Sequence, residues 1–335
     1  GTSGIGSVGV SNAVVTTSGG AINITGATSS TGTSSAGIAT NAALNSAGGN
    51  ITLTADSYLG SGTESINAGT GTVTFKNRTA GTLINLGGSD VAGATGTRAL
   101  GITDAELDVI TANALVIGQT GATASGDVTV STNINPALTK SLKILSGGNI
   151  TLNANSVINT LANGNVVLNS DSDGDGSGAI VFNTGAGITS NAGNITLGGG
   201  TAGDGSGNAI GNSTNIHGIN LTGATLNAGG GNISLAGQSG AVSADFASGV
   251  YMTGGGSINT SGAGNISITG TGAATGAYSQ SVGVRITGAS GNLSTVTGGS
   301  TGSVTIQGTG TSSATGNYEH GVMLGYATVT STGGN

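Results

Sequence analysis

Charge is scarce in this chain. Lys, Arg, Asp and Glu supply 6% of its 335 residues, against about 25% in an ordinary domain. Six basic residues face 13 acidic ones, a net charge of −7. Nothing is available to neutralise phosphate, which argues against nucleic acid or anionic lipid as a partner. Cysteine is absent, so no disulfide framework exists, although that leaves the compartment open. One proline, Pro136, and no Gly-X-Y period exclude collagen. No run of 18 apolar residues occurs, so no membrane insertion is expected in this segment. No signal peptide is visible. The chain begins at Gly1 and stops at "STGGN" in mid-motif, which reads as a piece of a longer polypeptide. Aromatics amount to 2%. Disorder is nevertheless not expected. Disordered chains lack apolar residues and carry excess charge, whereas 35% of this chain is hydrophobic and mean hydropathy is +0.19.

Glycine is abundant, at 69 residues, and it punctuates a repeat. "GGNITL" occurs at 48–53 and 147–152, "AGNITL" at 192–197, "GGNISL" at 230–235 and "AGNISI" at 263–268. Looser copies are "GGAINI" at 19–24 and "GSVTIQ" at 302–307. Gly-Gly permits a tight corner, and Asn tolerates the left-handed region and bonds nearby backbone. The apolar–polar–apolar triplet that follows is a short strand. Its period points Ile51 and Leu53 inward and Thr52 outward, and likewise Ile150 and Leu152, and Ile195 and Leu197.

A second motif opens with Gly-apolar-x-apolar: "GINLTGATL" at 218–226, "GVYMTGGGSI" at 249–258, "GVRITGASGNL" at 283–293 and "GVMLGYATV" at 321–329. The intervals between its glycines are 31, 34 and 38 residues. Ile219/Leu221, Val250/Met252, Val284/Ile286 and Val322/Leu324 are expected inside, with Asn220, Tyr251, Arg285 and Met323 outside. Periods of 20–50 residues built from short strands mean a solenoid. The fold expected is all-β: a right-handed parallel β-helix with short loop insertions. Roughly a dozen coils at ~4.8 Å per step make a rod of about 60 Å. Outward Thr, Ser and Asn then form ladders along it.

The array divides into N-terminal coils over 1–90, an irregular interruption at 91–125 and C-terminal coils over 126–335, all within one continuous rod. Inside the interruption lies "ITDAELDVITANALVIG", residues 102–118, where Asp104, Glu106 and Asp108 crowd together. "TDAE" has capping-box form, with Thr103 as N-cap and Glu106 three residues later. Leu107 and Ile110 fall on one helical face. A short helical turn near 103–111 is expected, followed by the strand "ALVIG".

Candidate sites are few. Asp171, Asp173 and Asp175 in "DSDGDGSG" have the 1-3-5 spacing of a calcium loop with Gly176 at position six. The twelfth position is Phe182, where such a loop needs a bidentate Glu, and a solvated Asp-Gly loop is the plainer reading. A similar insertion at 203–211 offers only Asp204. Phe246, Tyr278 and Tyr318 precede repeat glycines at comparable positions, which fits an aromatic stack. The sharper alternative is a sugar-binding platform formed with Tyr251 and Tyr326, along 246–326. Catalysis is not expected. Many parallel β-helices cleave acidic polysaccharides, but here Arg78, Arg98 and Arg285 are scattered, and His217 and His320 lie far apart. No nucleophile elbow is present. No other cofactor is indicated.

The 102–118 segment, followed by "SGDVTV", resembles filamentous-haemagglutinin-like giant exoproteins of Gram-negative bacteria. "GITSNAGNITLGGG" and "GINLTGATLNAGGGNISLAGQ" are similar to the same group. The resemblance implies the β-helical shaft of a very large secreted or surface-attached protein. It further implies export through an outer-membrane partner and a role in adhesion, aggregation or biofilm. The expected partners are neighbouring coils of the same polypeptide, end-to-end copies, and host or cell-surface glycans.

Overall fold

The computed structural model describes residues 8–10, 14–27, 36–91, 98–137, 139–242, 246–273, 275, 281–311 and 319–331. Within them the chain is a parallel β-solenoid. Each coil visits three faces in turn. One coil runs through Ile219–Thr222 on face 1, Thr225–Asn227 on face 2 and Ile233–Gln238 on face 3. Each strand pairs in parallel with its counterpart in the next coil, as Ile219 does with Val250 and Val250 with Val284. Val284 pairs in turn with Val322. The intervals of 31, 34 and 38 residues are therefore single coils. N-terminal coils are tighter, since Ile38 pairs with Tyr58 and Ile51 with Val73.

Face 3 stacks ten levels from Ile22–Thr25 to Val304–Thr309. At ~4.8 Å per step, nine steps span about 43 Å, and His320–Gly325 with Ala327–Thr330 add a further coil beyond face 3's last strand, in keeping with the roughly dozen coils expected.

Alternation places Ile, Leu and Val in one continuous core that runs the length of the stack. Burying each such side chain contributes about 1.5–3 kcal/mol. Ile51, Leu53, Ile150, Leu152, Ile195 and Leu197 are buried as their pattern requires, as are Ile219, Leu221, Val250, Met252, Val284 and Ile286. The top coil departs from it. Val322 is 40% and Leu324 53% exposed, while Met323 is half-buried. Among the described residues no coil lies above them, so inward positions face an open end.

The Gly-Gly-Asn corners work differently from the turn chemistry expected. The motif asparagines are not among the residues with positive φ. Instead they form a ladder. Asn165 Oδ1 accepts from Asn194 N, Asn194 Oδ1 from Asn232 N, and Asn232 Oδ1 from Asn265 N, each at 2.8 Å. Asn265 Oδ1 continues it to Ser303 N at 2.8 Å. This ladder marks the entry to face 3. The copy at 147–152 is the exception, because it leads into Ile150–Leu152 on face 1. Buried hydroxyls close the same corners from within, as Thr160 Oγ1 does by donating to the Gly164 carbonyl at 2.8 Å.

The interruption is a reversal of strand order. After Thr72–Lys76 on face 3, the chain lays Leu83–Leu86 on face 1 and only then Ala99–Ile102. Along the rod these two strands stand in the opposite order, since Leu83–Leu86 pairs with both Ala99–Ile102 and Val128–Val130. Face 3 passes from Thr72–Lys76 to Ile110–Ile117 to Thr139–Leu145 with no extra strand. Face 1 is thus one strand thicker here, by ~4.8 Å.

The helix Asp104–Asp108 fills the resulting gap at the next corner. Its capping box is formed, with Thr103 as N-cap and Glu106 at N3. Leu107 and Ile110 are buried, though Ile110 already belongs to the following strand. Asp104 Oδ1 accepts from Asn135 N at 2.7 Å and Asp108 Oδ1 from Ala137 N at 3.1 Å, both in the coil above. Glu106 Oε1 accepts from Gly60 N in the coil below at 2.7 Å. The three acids therefore join coils across the gap.

Candidate functional site

Length variation is concentrated at one corner. Connections from face 2 to face 3 are uniform, such as 228–232 and 260–265, and those from face 1 to face 2 are short. Connections from face 3 to face 1 include 118–127, 171–179, 200–218, 239–247, 272–281 and 310–319. In solenoids such insertions gather on one side, which is commonly the binding side.

Asp171, Asp173 and Asp175 lie in one of these loops. One carboxylate oxygen from each can be chosen so that all three lie within 4.8 Å of one another. Asp171 is buried and adopts φ 49°, while Asp173 and Asp175 are exposed. Burial raises the Asp171 pKa, and the charges of Asp175 and Asp173 push the same way. Its Oδ1 accepts from Gly176 N at 3.0 Å. Asp175 Oδ1 accepts from Ser177 N at 2.9 Å. Phe182, at the twelfth position, is fully buried in the core. A calcium ion takes six to eight oxygens. The loop offers three carboxylates, two of them already engaged through one oxygen, so water would have to supply most of the remainder. The companion loop is built differently: Gly199 and Gly207 bridge across its base, and Ala209–Ile210 adds an extra strand beside Ile233–Gln238.

A cavity of about 430 Å³ opens beside the strand reversal, lined by Tyr58, Gly60, Asp90, Gly101, Thr103 and Glu106 among others. Asp90 Oδ1 accepts from Gly101 N at 2.7 Å. Burial, with the Glu106 charge nearby, pushes the Asp90 pKa up to about 7. Glu64 lies beside the cavity and accepts from Tyr58 Oη at 3.0 Å and Ser61 Oγ at 2.8 Å. Burial and the Glu64 charge raise the Tyr58 pKa. Glu106 Oε2 accepts from Thr103 N at 2.8 Å. Each carboxylate holds backbone or a hydroxyl of an adjacent segment, so the group braces the reversal. Sequence reading missed Tyr58, Glu64 and Asp90, because no spacing links 58–64 to 90 until the reversed strands bring them together.

A third cluster lies on the outer side of face 1. Register aligns Asn220, Tyr251, Arg285 and Met323. The Arg285 guanidinium lies 4.5 Å from the Phe246 ring centre and 5.0 Å from that of Tyr251. His217 stacks on Tyr251 with centroids 4.5 Å apart and planes tilted by 36°. Its Nδ1 accepts from Ser248 N at 3.1 Å. Burial first, and the Arg285 charge second, push the His217 pKa down to about 4. The ring is neutral at pH 7, and with Nδ1 accepting, the proton resides on Nε2.

The structure thus brings Tyr251 together with Phe246, Arg285 and His217. Tyr326 is 62% exposed at the top of the rod, with φ 50°. Tyr278 and Tyr318 lie outside the described residues. Arg285 was legible as Tyr251's neighbour from the aligned motifs. His217 was not, because it precedes the motif by one residue and no pattern marks it. No protein-family model, curated protein or solved structure matches this chain.

Proposed function

We propose that this chain is a shaft segment of a large secreted or cell-surface fibre of a Gram-negative bacterium, acting in adhesion, aggregation or matrix formation. The observation that carries the reading is the unbroken parallel stack, ten levels deep on face 3. Interstrand hydrogen bonds in such a stack run along the rod, so pulling along the axis loads many of them together. The ladder of Asn165, Asn194, Asn232 and Asn265 adds side-chain bonds in the same direction. Low charge and small outward side chains keep the rod slim. Export through an outer-membrane partner and an extracellular location belong to the same reading and rest on the resemblance of 102–118. We assign the chain no reaction.

Force spectroscopy tests the mechanical part. Pulling between residues 36 and 331 should give successive coil-by-coil ruptures, whereas smooth extension at negligible force would exclude a load-bearing role. Displaying the segment on a non-adherent bacterium tests the adhesive part. Unchanged settling and surface attachment would count against it.

A second reading is favoured by the cluster around Tyr251: a carbohydrate-binding surface on face 1. Aromatic rings beside hydrogen-bond donors suit the apolar faces and hydroxyls of sugars. Calcium at Asp171, Asp173 and Asp175 is a separate proposal, resting on their close carboxylates. Calorimetry should show heat in the parent chain that Asp173→Ala abolishes. Flat titrations for both would end it.

A further inference from the structure

Arg285 is the only Lys or Arg in the sequence after Lys143. It is not spent on a salt bridge: among the described residues no carboxylate pairs with it, in contrast to Arg98, which meets Asp56 at 3.3 Å. Its Nε is buried and has no hydrogen-bond partner among the described residues. A buried donor left unmatched is costly, so a partner for it is favoured. The guanidinium is held over Phe246 and Tyr251, and such stacking leaves the in-plane N–H fork available to a planar acceptor. The neutral His217 beside it contributes an Nε2–H donor, because its Nδ1 is occupied by Ser248 N. Tyr251 adds a hydroxyl.

We propose that His217, Phe246, Tyr251 and Arg285 form a binding site for a carboxylate-bearing sugar residue on an otherwise neutral glycan. This rests on the carbohydrate-binding reading and gives it a chemical class. The fork of Arg285 matches a carboxylate in a bidentate pair. The Phe246 ring takes the apolar face of the sugar ring, and the His217 and Tyr251 donors take its hydroxyls. The sparseness of charge sets the rest of the specificity. A single cation in the stretch after Lys143, on a chain of net charge −7, suits one carboxylate, while the net charge repels a dense polyanion. Asp245, next to Phe246 in sequence, lies outside the described residues, and its Asp245→Asn variant controls for competition with the ligand.

The test is an NMR titration of the whole chain with cellobiuronic acid, with cellobiose, and with heparin. Cellobiuronic acid should bind at least tenfold more tightly than cellobiose. Arg285→Gln should erase that difference, and Asp245→Asn should leave it or enlarge it. Arg285→Lys keeps the charge but loses the fork. It should weaken cellobiuronic acid several-fold, and it reads the site even where Arg285→Gln fails to fold. Equal binding of both disaccharides, lost in Tyr251→Ala, would overturn the carboxylate site and leave the sugar-binding surface standing. Binding of neither would overturn both. Heparin binding more tightly than cellobiuronic acid would overturn the single-charge site.

Discussion

Asn232 and Asp90 show how single polar side chains are committed to backbone in this chain. The Asn232 carboxamide oxygen accepts from Asn265 N, and the Asn232 backbone donates to Asn194 Oδ1. Asn232→Ala removes one rung, at a cost of about 0.5–1.5 kcal/mol, which a shift in the urea midpoint would report. Asn232→Asp keeps an acceptor and should cost less. Asp90 sets a pH dependence of unusual sign. Its folded pKa is about 7 against the ordinary 3.8, so the folded state holds the proton longer than the unfolded one. Its contribution to stability is full below pH 3.8 and declines until the pH passes about 7. His217 runs the other way, because its folded pKa is depressed from 6.5 to about 4, and its contribution is lost as pH falls through that interval. Comparing wild type with Asp90→Asn isolates the first effect. Between pH 4.5 and pH 7.5 wild type loses the Asp90 contribution while gaining that of His217, so the variant, left with His217 alone, should gain stability over this interval relative to wild type, and identical slopes in both proteins would refute the assignment.

At the scale of elements, glycine decides how closely faces 1 and 3 can meet. Gly237, Gly270 and Gly308 align in one column by register. Gly249, Gly283 and Gly321 stand opposite them. A Cβ on Gly270 would fall on the Gly283 carbonyl oxygen, and one on Gly308 on that of Gly321. The glycine that opens the second motif is therefore a place where two backbones touch, as well as a corner residue. Gly270→Ala should cost about 1–3 kcal/mol by overpacking, and Gly270→Val more. Hydrogen exchange should then accelerate first in 266–271 and 282–287, the strands flanking that contact. Uniform exchange across the rod would speak against the seam.

For the whole molecule, the controlling fact is a core open at the top coil. Val322, Leu324 and Val329 are 40%, 53% and 37% exposed, and the edges of Val304–Thr309, His320–Gly325 and Ala327–Thr330 carry no further strand among the described residues. Unpaired edges with apolar side chains template pairing with another strand. The chain on its own should associate with rising concentration in light scattering. Introducing Val322→Lys with Leu324→Lys should suppress that association with little effect on the coils below. A monodisperse wild-type monomer at all concentrations would contradict it.

Much of this was legible beforehand. Repeat arithmetic gave the solenoid, because hydrogen-bonded stacking demands that like residues recur once per coil. The second motif gave the register of Ile219, Val250, Val284 and Val322 to the residue, since a slip of one would turn every apolar side chain outward. The capping box at Thr103 was local and therefore readable. Tertiary structure alone decided which face each motif copy entered, because "GGNITL" specifies a corner and a strand but not which of three corners. It also decided the reversal of Leu83–Leu86 and Ala99–Ile102, which depends on which strand reaches an edge rather than on either strand's pattern. The enclosure of Asp90, and the meeting of His217 with Tyr251 and Arg285 from three successive coils, follow from that stacking. Composition bounded the fold through what the chain has too little of. Proximity across coils determined where its few charged and aromatic side chains could act together.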